Sequence, residues 1–193
     1  MKRVCVFCGS SLGKQPEYAK AARQLGRTLV SKNINLVYGG ANIGLMGKIA
    51  NTVLQEGGEV IGVIPKALTK RQIFHPGLSE LRIVDSMHER KALMADLSDG
   101  FIALPGGFGT IEEFFEVLTW AQLGMHQKPC GLLNVGQYYC NLIDFVDNAV
   151  SQQLLKEQYR HMMIVDENPD ALLKKLNEYQ VPRVDRWLDR SGI

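Results

Sequence analysis

Two adjacent carboxylates, Glu112 and Glu113, follow directly on a glycine-rich turn, Pro105-Gly106-Gly107-Phe108-Gly109, and on Thr110. Glycines let a backbone approach an anion closely, and the free N–H groups and dipole of a helix start favour negative charge. A short apolar run, Phe101 to Leu104, precedes the turn. From Thr110 onward apolar residues recur at helical spacing: Ile111, Phe114, Phe115, Leu118 and Ala121. Strand, turn and helix together predict a phosphate cradle, with the helix opening at Thr110. A carboxylate beside a phosphate cradle is unfavourable for phosphate alone and makes better sense facing another part of the ligand. The competing reading is structural. Thr110-Ile111-Glu112-Glu113 fits a capping box, in which Glu113 bonds back to the cap residue. A second charged pair, Arg90-Lys91, stands early in another predicted helix, where the dipole prefers acids. Such a violation fits a functional site, and equally a solvated face.

The elements that must position these groups alternate regularly. Strands are expected over Arg3–Phe7, Asn35–Tyr38, Glu59–Ile64, Leu81–Val84, Phe101–Leu104, Pro129–Leu133 and Met162–Val165. Helices are expected from Pro16 to about Lys32, after the Gly39–Gly47 element to Gln55, and from Asp85 or Ser86 to Leu97. Others run from Thr110, from Tyr138 to Val150, and from Asn168-Pro169 through Tyr179. The helix ending at Leu97 should bury Met87, Ala92, Leu93 and Leu97. Lys66–Leu78 has weak periodicity and could be a loop, a short helix or a subunit contact.

Short strands that are apolar on both faces and alternate with helices predict an α/β fold. It is a single Rossmann-like, doubly wound parallel sheet with helices on both faces. Residues 1–180 would form the domain and 181–193 a tail. Ligands bind such sheets outside the carboxyl ends of the strands. Each glycine element, at Gly9-Ser10, Gly39-Gly40 and Gly106-Gly107, follows such an end, so all can converge on one site. Gly44 and Gly47 suggest close approach, to a ligand or to neighbouring backbone.

Composition excludes several classes. The formal charge is +2, with basic residues dispersed, which argues against a nucleic-acid surface. No apolar run reaches membrane-spanning length and no signal-peptide pattern opens the chain, so a cytoplasmic protein is expected. The four cysteines read as free thiols, because Cys5 and Cys8 would point to opposite faces of one strand. The four histidines show no ligand spacing, and no metal site is expected. The first turn lacks the G-x-G-x-x-G dinucleotide fingerprint, and no acid closes the second strand. No Walker loop or nucleophile elbow occurs. What remains is a nucleotide- or phosphosugar-binding protein with a carboxylate and a cation as candidate chemistry.

The segment Pro105 to Glu113 resembles the P-G-G-x-G-T-x-x-E signature of the Lonely-Guy (LOG) family. Met87-His88-Glu89-Arg90-Lys91, Gly39-Gly40 through Gly47, and Thr119 to Gly124 resemble its other hallmarks. The resemblance spans about Val4 to Glu178. It implies hydrolysis of the N-glycosidic bond of N6-modified adenosine 5′-monophosphate, or of AMP itself, to free base and ribose 5-phosphate. It further implies no metal or redox cofactor, and a homodimer. Residue by residue it makes Arg90 and Glu113 catalytic, with Glu112 a supporting contact. Gly106, Gly107, Gly109 and Thr110 would hold the 5′-phosphate, Lys91 would add charge, and Met87 would pack on the base. Gly9, Ser10, Gly39, Gly40, Pro105 and Thr119 complete the implied substrate site. Some members carry a lysine decarboxylase label, which no lysine in a pyridoxal-phosphate context supports here. The glycine-threonine cradle is also similar to that of molybdenum-cofactor carriers, which leaves a non-catalytic carrier as the alternative. The helix from Thr110 is apolar on more than one face, suited either to burial within one chain or to a partner subunit.

Overall fold

The structure is a computed structural model that describes residues 1–69 and 74–182. Seven strands form one sheet in the order β4-β3-β2-β1-β5-β6-β7, and every pairing is parallel. They are β1 (Arg3–Phe7), β2 (Asn35–Tyr38), β3 (Val60–Pro65), β4 (Glu80–Val84), β5 (Gly100–Ala103), β6 (Cys130–Leu133) and β7 (Met163–Asp166). From β1 the chain winds outward through β2, β3 and β4, then returns to lay β5 on the other side of β1. The connections leaving β1 and β5 therefore diverge and open a crevice at the carboxyl edge.

Helices cover both faces. α1 (Pro16–Ser31), α2 (Gly44–Gln55) and α8 (Pro169–Asn177) pack one side, around Leu25, Ile49 and Leu172. α4 (Met87–Leu97), α5 (Phe108–Gln122) and α6 (Cys140–Ser151) pack the other, around Met94, Phe114 and Val146. Cys5 joins the second cluster and Cys8 the first, as their three-residue spacing in a strand requires. Two short helices, α3 (Lys66–Thr69) and α7 (Glu157–Arg160), complete the set among the described residues. α7 carries too little periodicity to be read from sequence.

Local signals explain most boundaries. Pro16 opens α1 with its missing N–H, and Asn33 leaves it at φ 55°. Ser86 caps α4 by accepting from the Glu89 N–H, and Asn168 caps α8 in the same way. Three expectations are corrected. α5 begins at Phe108 with Gly107 as its N-cap, two residues before Thr110, so Thr110 is already inside the helix and no Thr110–Glu113 capping box forms. α6 begins at Cys140, because a short 3-10 turn over Val135–Gln137, with Gly136 and Gln137 at positive φ, absorbs the preceding residues. α4 buries Arg90, Lys91, Met94 and Ala95, whereas Met87 and Ala92 are exposed. The helix is turned so that its cations face inward, and paired carboxylates on α5 make that burial tolerable.

Of the ambiguous Lys66–Leu78 stretch, Lys66–Thr69 is helical and residues 70–73 lie outside the described residues. Phe74 bridges antiparallel to Ala41, and the His75 N–H donates to the Gly40 carbonyl at 2.9 Å. Of the expected 181–193 tail, residues 183–193 also lie outside the described residues.

Candidate active site

The connections that follow β1, β2 and β5 meet at the sheet reversal and are bonded to one another. The Gly9 N–H donates to the Pro105 carbonyl at 3.0 Å, and the Leu45 N–H donates to the Gly9 carbonyl at 3.0 Å. Two tyrosines from the segment after β6 hold the cradle from the far side. Tyr138 Oη donates to the Gly106 carbonyl at 2.7 Å and Tyr139 Oη to the Leu104 carbonyl at 2.6 Å. Gly106 has no room for a side chain, since a Cβ there would meet Thr110 Cβ at 2.6 Å and Gly9 N at 2.9 Å. Gly107 then caps α5 without a side-chain bond. The N–H groups of Phe108, Gly109 and Thr110, the first three of the helix, have no intrahelical acceptors. They form the positive end of the α5 dipole, where an anion is favoured.

A cavity of about 280 Å³ opens at this helix start, lined among others by Gly9, Ser10, Gly39, Met46, Arg90, Thr110 and Glu113. Its floor holds an ion pair. Arg90, from α4, donates through Nη1 to Glu113 Oε1 of α5 at 2.9 Å and through Nε to the Val63 carbonyl of β3 at 3.2 Å. Both side chains are about nine-tenths buried, at 10% and 11% exposure. Burial pushes the Glu113 carboxyl above the usual carboxylate range, and the Arg90 guanidinium offsets this only in part. The pair is therefore a carboxylate of raised basicity fixed by a planar cation, one turn inside a helix whose start accepts anions.

Gly39 makes room for that cation. A Cβ at Gly39 would stand well inside contact distance of Arg90 Nη2 and 2.6 Å from Met46 Cε. We expect Gly39→Ala to displace the guanidinium from Glu113 and to reduce turnover about a hundredfold, in line with a small misplacement of a catalytic group. Steady-state kinetics on the folded variant check this. Activity within twofold of the parent would show that Arg90 tolerates the shift.

Most of the sequence-predicted residues meet here. Gly9, Ser10, Gly39, Arg90, Gly107, Gly109, Thr110 and Glu113 line this cavity. Pro105 and Gly106 line an adjoining one of about 290 Å³, which also takes in Tyr18 and Tyr138. Gly40 is buried behind the wall, at φ 78° against Ile64. Met87 is exposed beside the pair, its Sδ 3.9 Å from Arg90 Nη1. Lys91 and Glu112 pair with each other rather than facing the cavity. Thr119 is placed elsewhere, exposed on α5 with its hydroxyl bonded to the Phe115 carbonyl at 2.7 Å. Sequence reasoning passed over Cys8, Met46 and Phe108, which line the first cavity, and Tyr138, which lines the second. Met46 and Phe108 sit inside glycine elements already singled out, so their neighbours were the signal. Tyr138 gave none.

Similarity to known proteins gives the family. The chain is 53% identical over 191 residues to "Cytokinin riboside 5′-monophosphate phosphoribohydrolase LOG1" of Arabidopsis thaliana, covering 99% of this chain and 89% of that one. It is 51% identical over 185 residues to "Probable cytokinin riboside 5′-monophosphate phosphoribohydrolase LOGL6" of Oryza sativa subsp. japonica, covering 96% and 74%. The chain belongs to the Lonely-Guy (LOG) family.

The family model it matches, over residues 46–176, is described as "Possible lysine decarboxylase". The LOG site here does not fit that description. Lys91, the lysine beside Arg90, has its ammonium bonded to Glu112 at 2.5 Å and Glu116 at 2.9 Å, and among the described residues no lysine lines the cavity of the ion pair. Among the described residues no group of three or more His, Cys, Asp or Glu could hold a metal ion. The LOG fold is shared more widely. A molybdenum cofactor binding protein of Rippkaea orientalis superposes with a TM-score of 0.67 at 21% identity, covering 92% of this chain and 97% of that one. The Moco carrier protein of Chlamydomonas reinhardtii superposes with a TM-score of 0.68 at 20% identity, covering 91% and 97%. At these identities the likeness is one of fold alone.

Proposed function

We infer that this LOG protein hydrolyses the N-glycosidic bond of adenosine 5′-monophosphates, N6-modified or plain, to free base and ribose 5-phosphate. The observation that carries the reading is the buried Arg90–Glu113 pair one turn behind the anion-accepting start of α5. The family's relatives are named for this reaction on cytokinin riboside 5′-monophosphates.

The 5′-phosphate sits on the N–H groups of Phe108, Gly109 and Thr110, with the Thr110 hydroxyl beside it. The anomeric carbon then lies toward Glu113. Breaking a ribosyl C–N bond builds positive charge on that carbon, and a fixed, buried carboxylate stabilises it. The same carboxylate orients and deprotonates the attacking water. Arg90 stays charged, so it is no general acid. It holds the Glu113 oxygen in place and steadies negative charge on the departing base, which takes its proton from solvent while Glu113 returns its own to water.

The phosphate contact and the raised carboxyl each give a test. The monophosphate is expected to turn over at least about a hundredfold faster than the same nucleoside without phosphate, because that contact positions the ribose. Equal rates would remove the cradle from the mechanism. Glu113 must be ionised to act, and its carboxyl is raised. The rate therefore falls as pH drops through a midpoint above the ordinary carboxylate range, and it is fully present only above it. A pH–kcat/KM profile flat down to the ordinary range would contradict this.

The same reading includes a homodimer and a cytosolic setting. Leu12, Ile43, Met87 and Phe108 are exposed at the carboxyl edge, Phe108 at 95%, and a second copy would cover them. Free thiols at Cys5, Cys8, Cys130 and Cys140 suit a reducing compartment.

A further inference from the structure

Next to the Arg90–Glu113 contact lies a second contact between the same two helices. Lys91 is 10% exposed at its side chain and projects from α4 between Glu112 and Glu116 of α5, at 2.5 and 2.9 Å. Neither Lys91 nor Glu112 lines the cavity in which Arg90 and Glu113 stand. Glu112 is half exposed and Glu116 one-quarter exposed, and Glu116 Oε2 is buried with no hydrogen-bond partner among the described residues. A buried ammonium therefore answers two carboxylates of unequal solvation, one residue along from the pair that does the chemistry.

We propose that Lys91 is a positioning residue: clasped by Glu112 and Glu116, it locks α4 on α5 and screens Glu113 from the charge of Glu112. The proposal rests on the assignment of Glu113 as the acting carboxylate. The charges facing Glu113 come from three elements. Arg90 and Lys91 stand on α4, Glu112 and Glu116 on α5, and the thiols of Cys5 and Cys8 on and just after β1. Burial holds both thiols well above their ordinary range, so they stay neutral. Arg90 and Lys91 favour the ionised form of Glu113, and Glu112 opposes it. Lys91 balances Glu112 directly, so losing either unbalances the field at Glu113 in opposite directions.

That opposition separates screening from a merely structural link. Both contacts tie the same helices, so loosening them alone would perturb Glu113 alike. Lys91→Met leaves Glu112 and Glu116 uncompensated and should raise the Glu113 midpoint. Glu112→Gln removes a like charge while Glu116 still holds Lys91, and should lower it. Lys91→Arg keeps the cation and should restore the parent midpoint.

The experiment is a 13C NMR titration of the glutamate side-chain carboxyls in the ligand-free full chain, with the Glu113 signal assigned by its absence in Glu113→Gln. Kinetics on the same variants with AMP accompany it. The expected result is opposite displacements, rescue by arginine, and, for Lys91→Met, a lower kcat near the midpoint with KM within about twofold. Displacements in the same direction, no displacement, or a raised KM at unchanged kcat would overturn it. Should Lys91→Met fail to fold, Glu112→Gln decides, since its carboxylate is half exposed. The titration needs no turnover. A protein that cleaves no nucleotide would sink the hydrolase reading and leave the screening result standing.

Discussion

Glu113→Gln should bind AMP with the affinity of the parent protein and release base at least about a thousandfold more slowly. The amide keeps the shape and one acceptor oxygen, so the Arg90 Nη1 donor retains a partner at the 2.9 Å contact. It cannot carry negative charge toward an oxocarbenium-like carbon or take a proton from water. The fold should survive for a linked reason. Because the carboxyl is raised in the folded protein, the native state binds its proton more tightly than the unfolded chain does. Ionisation of Glu113 thus opposes folding, and stability from this group falls as pH rises through the raised midpoint. Removing the charge takes away that opposition at neutral pH. Calorimetric AMP titration, thermal unfolding and product release on one preparation check all three statements. Undiminished turnover would remove Glu113 from the reaction.

Arg90 carries the second large effect, and its variants divide by geometry. Arg90→Ala leaves a nine-tenths buried carboxylate without its cation, a change that costs about 3–5 kcal/mol in comparable pairs. The same loss favours the protonated, inactive form of Glu113, so turnover should drop roughly a thousandfold even where the protein stays folded. Arg90→Lys keeps the charge and should be more stable than the alanine variant. It still loses about a hundredfold in rate, because one ammonium cannot reach both the Val63 carbonyl and Glu113, as Nε and Nη1 now do. Denaturant unfolding and kcat/KM separate the two effects. A lysine variant as active as the parent would mean that charge alone suffices and that the forked geometry is incidental.

The sequence carried the α/β alternation plainly because both faces of the sheet are covered, so each strand reads as a short apolar run. The cradle was legible because close backbone approach demands glycine, and Gly39 and Gly106 leave no room for a Cβ. The inward turn of α4 was not legible. Arg90 and Lys91 look solvated in one dimension, and only packing against Glu112, Glu113 and Glu116 makes them interior residues. The start of α5 was misplaced for a related reason. Thr110 has the chemistry of a cap, but the extended conformation at Gly107 lets the helix begin at Phe108. The glycine thereby sets free amides, and no capping side chain, at the cavity. Thr119 shows the converse limit. It belongs to a motif in sequence, yet six residues of helix beyond Glu113 carry it away from the cavity to bond its own backbone.

The most direct measurement is a time course of purified protein with AMP and with N6-isopentenyladenosine 5′-monophosphate, following base and ribose 5-phosphate together by chromatography. Hydrolysis at the Arg90–Glu113 site predicts equimolar appearance of the two products from at least one substrate. The ratio of the two rates places the protein between cytokinin release and purine salvage. Nucleotide that binds and is recovered intact from both incubations would contradict the account, and would make the chain a carrier of what its cradle holds.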